Sequence, residues 1–242
     1  EYTTDIKILE KIAGVSHKYK APVSAHCAET KKEVDECVER HGKTPVELFN
    51  DLGLLDYGGS LFHCNYLSDR DIEIIKEKNI YTVTNPGSNC KLASGIAPVD
   101  RLLKEGVKAA IGTDGPASNN ALDMFREMYL VTVLQKVATG NAGAVPAEKV
   151  IEMACCNGAK AMGIGSDCLR AGKNADIILI NLKKPNMQPE NNIVKNIVYS
   201  GSKENVALTM VRGKILYEKS RFNTVDEYEV YDRCREIMGK FE

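Results

Sequence analysis

Up to about residue 168 the chain switches repeatedly between two hydrophobic periods. Residues 3–19 carry Ile6, Ile8, Leu9, Ile12 and Val15 as the apolar positions of a helix, and 22–29 (PVSAHCAE) follows as a strand. Val34, Cys37, Val38 and His41 then repeat at helical spacing across 30–41. Thr44-Pro45-Val46-Glu47 opens another helix, with a capping-box pattern and proline at its first position. A second strand falls at 60–67 (SLFHCNYL), and Ser68 caps a helix containing Ile72, Ile74 and Ile75. A third strand at 81–84 leads into a polar loop, Asn85–Asn89. A short helix ending at Gly106 precedes an apolar run (Val107, Ala109, Ala110, Ile111) that reaches Asp114 through Gly112 and Thr113. Four strand–helix alternations predict βα units and a parallel sheet.

Helices are expected from about Leu122 to Ala138 and from Pro146 to Met162. Near Leu169 the texture changes to short strands at 175–182, 196–200, 205–213 and 214–219, with a hairpin around Arg212-Gly213-Lys214. A tail helix opens at Thr224-Val225-Asp226-Glu227, another capping-box pattern. Two units are expected, 1–168 and 169–242, with no internal repeat and no low-complexity segment.

Three of the predicted strands end on residues that carry chemistry. His26 and Glu29 form H-x-x-E after the first, His63 ends the second, and Asp114 ends the fourth. By alternation Asp114 shares a face with Gly112 and Ala110, both small, which leaves room beside its carboxylate. In a parallel α/β barrel the reaction takes place at that end of the strands. Zinc takes imidazole nitrogen and carboxylate oxygen, and a bound cation makes water nucleophilic near neutral pH. Asp114 could hold the cation and accept a proton from that water, and Glu29 could carry the proton to a leaving group. Taken singly, a strand-end histidine is more often a hydrogen-bonded core residue and an aspartate after Gly-Thr a turn residue. The coincidence at three strand ends favours chemistry. His17 and His41 read as helix-end surface residues, and Cys155-Cys156 as packing residues within a helix.

Composition narrows the function classes. A net charge of −1 without a basic block argues against nucleic acid or an anionic membrane as partner. With no long apolar run and no signal peptide, the expected location is the cytoplasm. The eight cysteines contain no CxxC pair and read as reduced, mostly buried thiols. No histidine lies near Cys155-Cys156 in sequence to mark a nucleophile.

The longer motifs carry a resemblance. SAHCAET, HCNYL, NPGSNCKLASGIAPV, GTDGPASNNALDMFREM and GAKAMGIGSDCLRAGKNADIILI resemble the amidohydrolase superfamily over nearly the whole chain. Within it the likeness is to the 5-methylthioadenosine/S-adenosylhomocysteine deaminases and triazine chlorohydrolases. The resemblance implies an α/β fold. It would be a partial (β/α)8 TIM barrel holding strands five to eight, then part of a small β-sandwich and a C-terminal helix. It implies His26 as a metal ligand, Glu29 as proton shuttle, His63 as the residue orienting water or substrate, and Asp114 as ligand and base. Ser88, Asn89 and Asn119 would lie in substrate-facing loops. The family's first barrel strand supplies a His-x-His metal pair that this chain, with four histidines, does not contain.

The expected function is hydrolytic deamination of a purine-nucleoside-like small molecule by a truncated relative of these enzymes. Zinc or another divalent metal would serve the complete enzyme and bind this chain weakly or not at all. Alternatives are a chlorohydrolase acting on a triazine-like ring and an inactive assembly module. Four βα units would leave two open sheet edges, and Leu61, Val83 and Ile111 would be inner-face residues left wet. The missing N-terminal half or a second copy, as in a homo-oligomer, is therefore the expected partner.

Overall fold

The computed structural model describes residues 1–241, so Glu242, the last residue of the second expected unit, lies outside the described residues. Helix α1 (Ile6–Tyr19) is capped by Asp5 and stops at Lys20, which is left-handed. Strand β1 (Val23–Cys27) follows, then α2 (Lys31–His41) and α3 (Pro45–Asp51). Thr30 and Thr44 cap these two helices, with Glu33 and Glu47 reaching back to the cap N–H groups. The chain continues through β2 (Gly59–His63), α4 (Asp69–Glu77), β3 (Tyr81–Thr84), α5 (Pro86–Lys91), α6 (Val99–Lys104) and β4 (Lys108–Ile111). These four strands form one sheet in the order β1-β2-β3-β4, every pair parallel.

Register sorts the side chains into rows. Ala25, Leu61, Thr82 and Ala109 align on one face, and His26, Phe62, Val83 and Ala110 on the other. Leu61 belongs to a core it shares with Leu9 and Ala13 of α1, Val46 and Phe49 of α3, and Ile72 and Ile75 of α4. Each such side chain withdrawn from water contributes about 1.5–3 kcal/mol. A second core joins Ala109 and Ile111 to Phe125, Met128 and Val131 and to Val150, Met153 and Val198. The expectation that Leu61, Val83 and Ile111 stand wet is therefore wrong, because all three are buried. Leu61 and Ile111 lie in the two helix-packed cores rather than on an open inner face. The His26 face mixes small and polar groups with larger ones: Ser24, His26 and Lys108 are exposed, Phe62 and Tyr81 half-buried.

After β4 come α7 (Pro116–Asn119), α8 (Met124–Thr139) and α9 (Ala147–Ile151), which runs through a π-helical segment (Glu152–Asn157) into α10 (Gly158–Ala161). A second, antiparallel sheet contains β5 (Ile177–Ile180), β6 (Val206–Val211), β7 (Lys214–Glu218) and β8 (Arg221–Phe222), with α11 (Ile193–Tyr199) between its first two strands. The chain ends in α12 (Glu227–Met238), capped by Asp226 alone rather than by a box starting at Thr224.

Several local expectations change. Asn85–Asn89 is not a loop: Pro86 starts α5, whose first turn is buried. Residues 196–200 are not a strand but lie largely within α11, where Val194, Ile197 and Val198 pack on the second core. Asn192 caps that helix by accepting the Lys195 N–H. Only Cys27, Cys37 and Cys64 among the eight free cysteines are buried, and Cys155 is exposed on the π-helical turn. β4 stops at Ile111, three residues before Asp114, so simple alternation does not place that carboxylate. Among the described residues no helix is long and apolar enough to cross a membrane.

Candidate metal centre and active site

Four non-glycine residues at the C-terminal ends of the parallel strands adopt the left-handed region: Ala28 (φ 52°), His63 (φ 71°), Cys64 (φ 52°) and Asp114 (φ 58°). Such conformations cost of order 1–3 kcal/mol each and persist where the surroundings enforce them. Their effect is visible at His63. Pairing with Cys27 would put its ring on the helix-packed face, away from His26. Instead the two histidine rings stack, with centroids 5.4 Å apart and planes 24° apart. The left-handed turn carries the His63 ring across the sheet end.

Asp114 meets them there. One ligand atom from each of His26, His63 and Asp114 lies within 4.8 Å of the others. His63 is buried, Asp114 partly buried and His26 exposed. Two ligands on one zinc ion, at about 2.1 Å each, are at most about 4.2 Å apart, a spacing of the same order as this cluster's. His63 Nε2 is buried with no hydrogen-bond partner, an unsatisfied lone pair or N–H that normally demands an explanation. Imidazole, imidazole and carboxylate around an orphaned nitrogen fit a borderline divalent cation.

Each group is held from behind. Asp114 Oδ2 accepts hydrogen bonds from Ser88 Oγ (2.6 Å) and Ser118 Oγ (2.5 Å). Burial pushes the Asp114 carboxyl up, but the hydroxyls of Ser118 and Ser88 and the Gly115 N–H outweigh it and hold the carboxyl below its ordinary value. Glu29 Oε1 accepts from Ser94 Oγ at 2.9 Å, and its Oε2 stands 3.6 Å from His63 Nε2. The Glu29 backbone is fixed by Glu33, whose carboxylate accepts N–H groups of Ala28 and Glu29 at 2.7 Å each. Asn89 Oδ1 lies 2.7 Å from His63 Nδ1, and Asn89 Nδ2 donates to Asn65 Oδ1 at 2.8 Å. Asn119 sits one layer deeper, donating to Thr113 O and Glu127 Oε1.

The predicted residues thus divide. His26, Glu29, His63 and Asp114 converge, Ser88 and Asn89 touch two of them, and Asn119 supports the loop that carries Asp114. Sequence reasoning missed Asn65, Ser94, Ser118, Glu33 and Glu127. Thr30-x-x-Glu33 was a readable capping signal, and Ser118 lies only four residues from the Asp114 it bonds; the others became visible only once distant segments met. Burial pushes the Cys27 and Cys64 thiols up, so neither is a thiolate beside the site. A cleft of about 260 Å³ opens along β1, with His26, Tyr2, Leu9 and Ile12 among its walls.

The chain is 41% identical over 247 residues to a 5-methylthioadenosine/S-adenosylhomocysteine deaminase of Thermoanaerobacter pseudethanolicus, covering 99% of this chain and 57% of that protein. It is 42% identical over 233 residues to a 5'-deoxyadenosine deaminase of Methanosarcina acetivorans, covering 96% of this chain and 54% of that one. The chain therefore spans just over half the length of these relatives. Among solved structures, a zinc-bound adenosine deaminase from Xanthomonas campestris superposes with a TM-score of 0.94 at 29% identity, over 99% of this chain and 55% of that one. A zinc-bound atrazine chlorohydrolase from Arthrobacter aurescens reaches a TM-score of 0.87 at 20% identity, which speaks to fold alone. The sequence pattern of the amidohydrolase family matches residues 3–216, the stretch that contains every residue gathered around His63. By that match and by its relatives, the chain belongs to the amidohydrolase family.

Proposed function

We propose that this chain is part of a zinc-dependent hydrolase that deaminates adenosine-like nucleosides, 5-methylthioadenosine, S-adenosylhomocysteine or 5'-deoxyadenosine among them. The convergence of His26, His63 and Asp114 beside Glu29 carries the reading. The names of the relatives supply the substrate class. In the reaction, water adds to the ring carbon bearing the amino group, the C–N bond breaks, and ammonia leaves.

His26 and Asp114 would hold the cation, with His63 Nε2 facing the same space. A divalent ion there supplies Lewis acidity and makes water a competent nucleophile near pH 7. The side chains do the rest. Asp114 Oδ, ionised because its serine partners hold it low, accepts the proton of the attacking water. Glu29, placed between Ser94 and His63, passes a proton to the departing nitrogen. His63 orients the water. Ser88 and Asn89 would back the substrate side through Asp114 and His63, with Asn119 behind them holding the loop that carries Asp114.

We further infer that β1 to β4 are four consecutive staves, the fifth to eighth, of a (β/α)8 barrel. Residues 1–168 would belong to the barrel and 169–242 to a β-sandwich segment with its terminal helix. In the working enzyme, further chain or a second copy covers the free edges of β1 and β4. Eight free cysteines suit a reducing cytoplasm. The test is ammonia release by the zinc-loaded longer protein, assayed across nucleosides and chlorotriazines. At least a tenfold higher kcat/KM for an adenosine-like nucleoside is expected. Preference for the chlorinated ring, or no turnover of any nucleoside, would overturn the proposal.

A further inference from the structure

The hydrogen bonds behind His63 form a chain whose direction is set at its far end. Asn65 Nδ2 lies 2.8 Å from the backbone carbonyl of Glu29. A carbonyl oxygen can only accept, so the amide edge of Asn65 facing it must be the NH2. The oxygen of Asn65 therefore faces Asn89, at 2.8 Å. Facing an acceptor, Asn89 must present its own NH2, and its Oδ1 is left for His63 Nδ1, 2.7 Å away. An amide oxygen cannot donate, so the proton of that last bond must sit on Nδ1. All three side chains are buried, at 7%, 2% and 1% exposure, so bulk water is not free to replace a link.

We infer that Asn65, which does not touch His63, sets its tautomer: the relay from the Glu29 carbonyl through Asn65 and Asn89 protonates Nδ1 and leaves Nε2 a bare lone pair. Nε2 is the buried ring nitrogen without a partner, 3.6 Å from Glu29 Oε2, on a ring that joins the cluster of His26 and Asp114. The relay makes it an acceptor, able to receive a hydrogen bond from water or to bind a cation. As a neutral ring it cannot donate a hydrogen bond to a substrate atom. Because the relay starts on the carbonyl of Glu29, the residue proposed to move protons, a shift of that backbone would reach His63 through two amides. Asn65 and Asn89 are positioning residues in this scheme, one acting through the other.

This inference rests on the reading of His63 as part of a hydrolytic site, but its primary readout does not depend on turnover. The metal-free longer protein, labelled with ¹⁵N in histidine, is examined by NMR at pH 8, with a His63→Asn sample to assign the His63 ring. The expected spectrum shows His63 protonated at Nδ1. Protonation at Nε2 in the unaltered protein would overturn the inference, with no variant needed. Asn65→Asp offers Asn89 only acceptors and is expected to keep the Nδ1–H tautomer. Asn65→Leu frees the Asn89 amide to flip and is expected to give a mixture. The signals of His17 and His41 should stay unchanged as evidence of an intact fold. In the deaminase assay, Asn65→Leu should lower kcat about tenfold with KM within twofold, and Asn65→Asp should recover most of that loss. A pure Nδ1–H tautomer in folded Asn65→Leu would show that Asn65 does not set it. If the tautomers behave as expected and no nucleoside is turned over, the functional proposal fails and the relay stands.

Discussion

Asp114 illustrates how single hydrogen bonds decide what a carboxylate does. Burial alone would raise it, yet two serine hydroxyls and the Gly115 N–H leave it below its ordinary value. The sign of the linkage follows. A carboxyl depressed in the folded state adds stability above its unfolded pKa of about 3.9, and that stability is lost as pH falls through the folded value. Ser88→Ala or Ser118→Ala in the metal-free protein is expected to move the Asp114 titration upward, read by NMR of the labelled carboxyl carbon. An unmoved curve would show that the hydroxyls do not hold it. Glu29 has the complementary task, and its carboxylate touches Ser94 while standing open toward His63. Glu29→Gln keeps the shape and removes the proton carrier. Turnover by the longer protein should fall by about 10²–10⁴, with an unchanged unfolding midpoint.

At the scale of elements, two glycines let strands and helices approach closely enough to build the site. At Gly59 (φ 132°) a Cβ would lie 1.8 Å from the Val23 carbonyl oxygen, inside the β1–β2 pair. Gly59→Ala should therefore cost about 3 kcal/mol or more in urea unfolding, since both conformation and contact are violated. At Gly87 a Cβ would lie 2.3 Å from Glu127 Oε1. Glu127 on α8 is fully buried and accepts from Gly87 N (2.7 Å) and Asn119 Nδ2 (2.8 Å), tying α5 to the loop after β4. Glu127→Ala strands both donors and should cost roughly 2–6 kcal/mol, at about 1–3 kcal/mol per unsatisfied group; a loss below about 1 kcal/mol in urea unfolding would show the clamp to be unimportant. Most of this architecture was legible beforehand: the alternation of strand and helix, the Thr44 and Ser68 caps, and the position of His26, His63 and Asp114 at or just beyond the C-terminal ends of three strands. What escaped has physical reasons. The helical spacing of Ile193, Val194, Ile197 and Val198 straddles a stretch whose β-branched residues also suit a strand. The polar composition of Asn85–Asn89 hid a helix whose first turn is buried against Glu127. Asn65 and Glu127 act through contacts between segments far apart in sequence, which no local pattern encodes.

The molecule as a whole presents a parallel sheet with a free edge on each side and a site at one end of it. Its helix-packed face is buried in two cores, while His26 stands exposed on the other face. Three donors should hold zinc more loosely here than in a longer protein with the family's His-x-His pair. Dialysis followed by elemental analysis is expected to strip metal from this chain and leave it in the longer form; equal retention by both would show that the present donors suffice. The four left-handed residues at the strand ends carry a consequence for anyone who evolves this protein toward heat resistance. Glycine at Ala28, His63, Cys64 or Asp114 would relax the backbone, so a screen that rewards survival alone would accept it there, most readily at Ala28 and Cys64, which supply no ligand atom. The hardier variants it returns would have lost the rigid turn that brings one imidazole beside the other, and with it the reason for the fold.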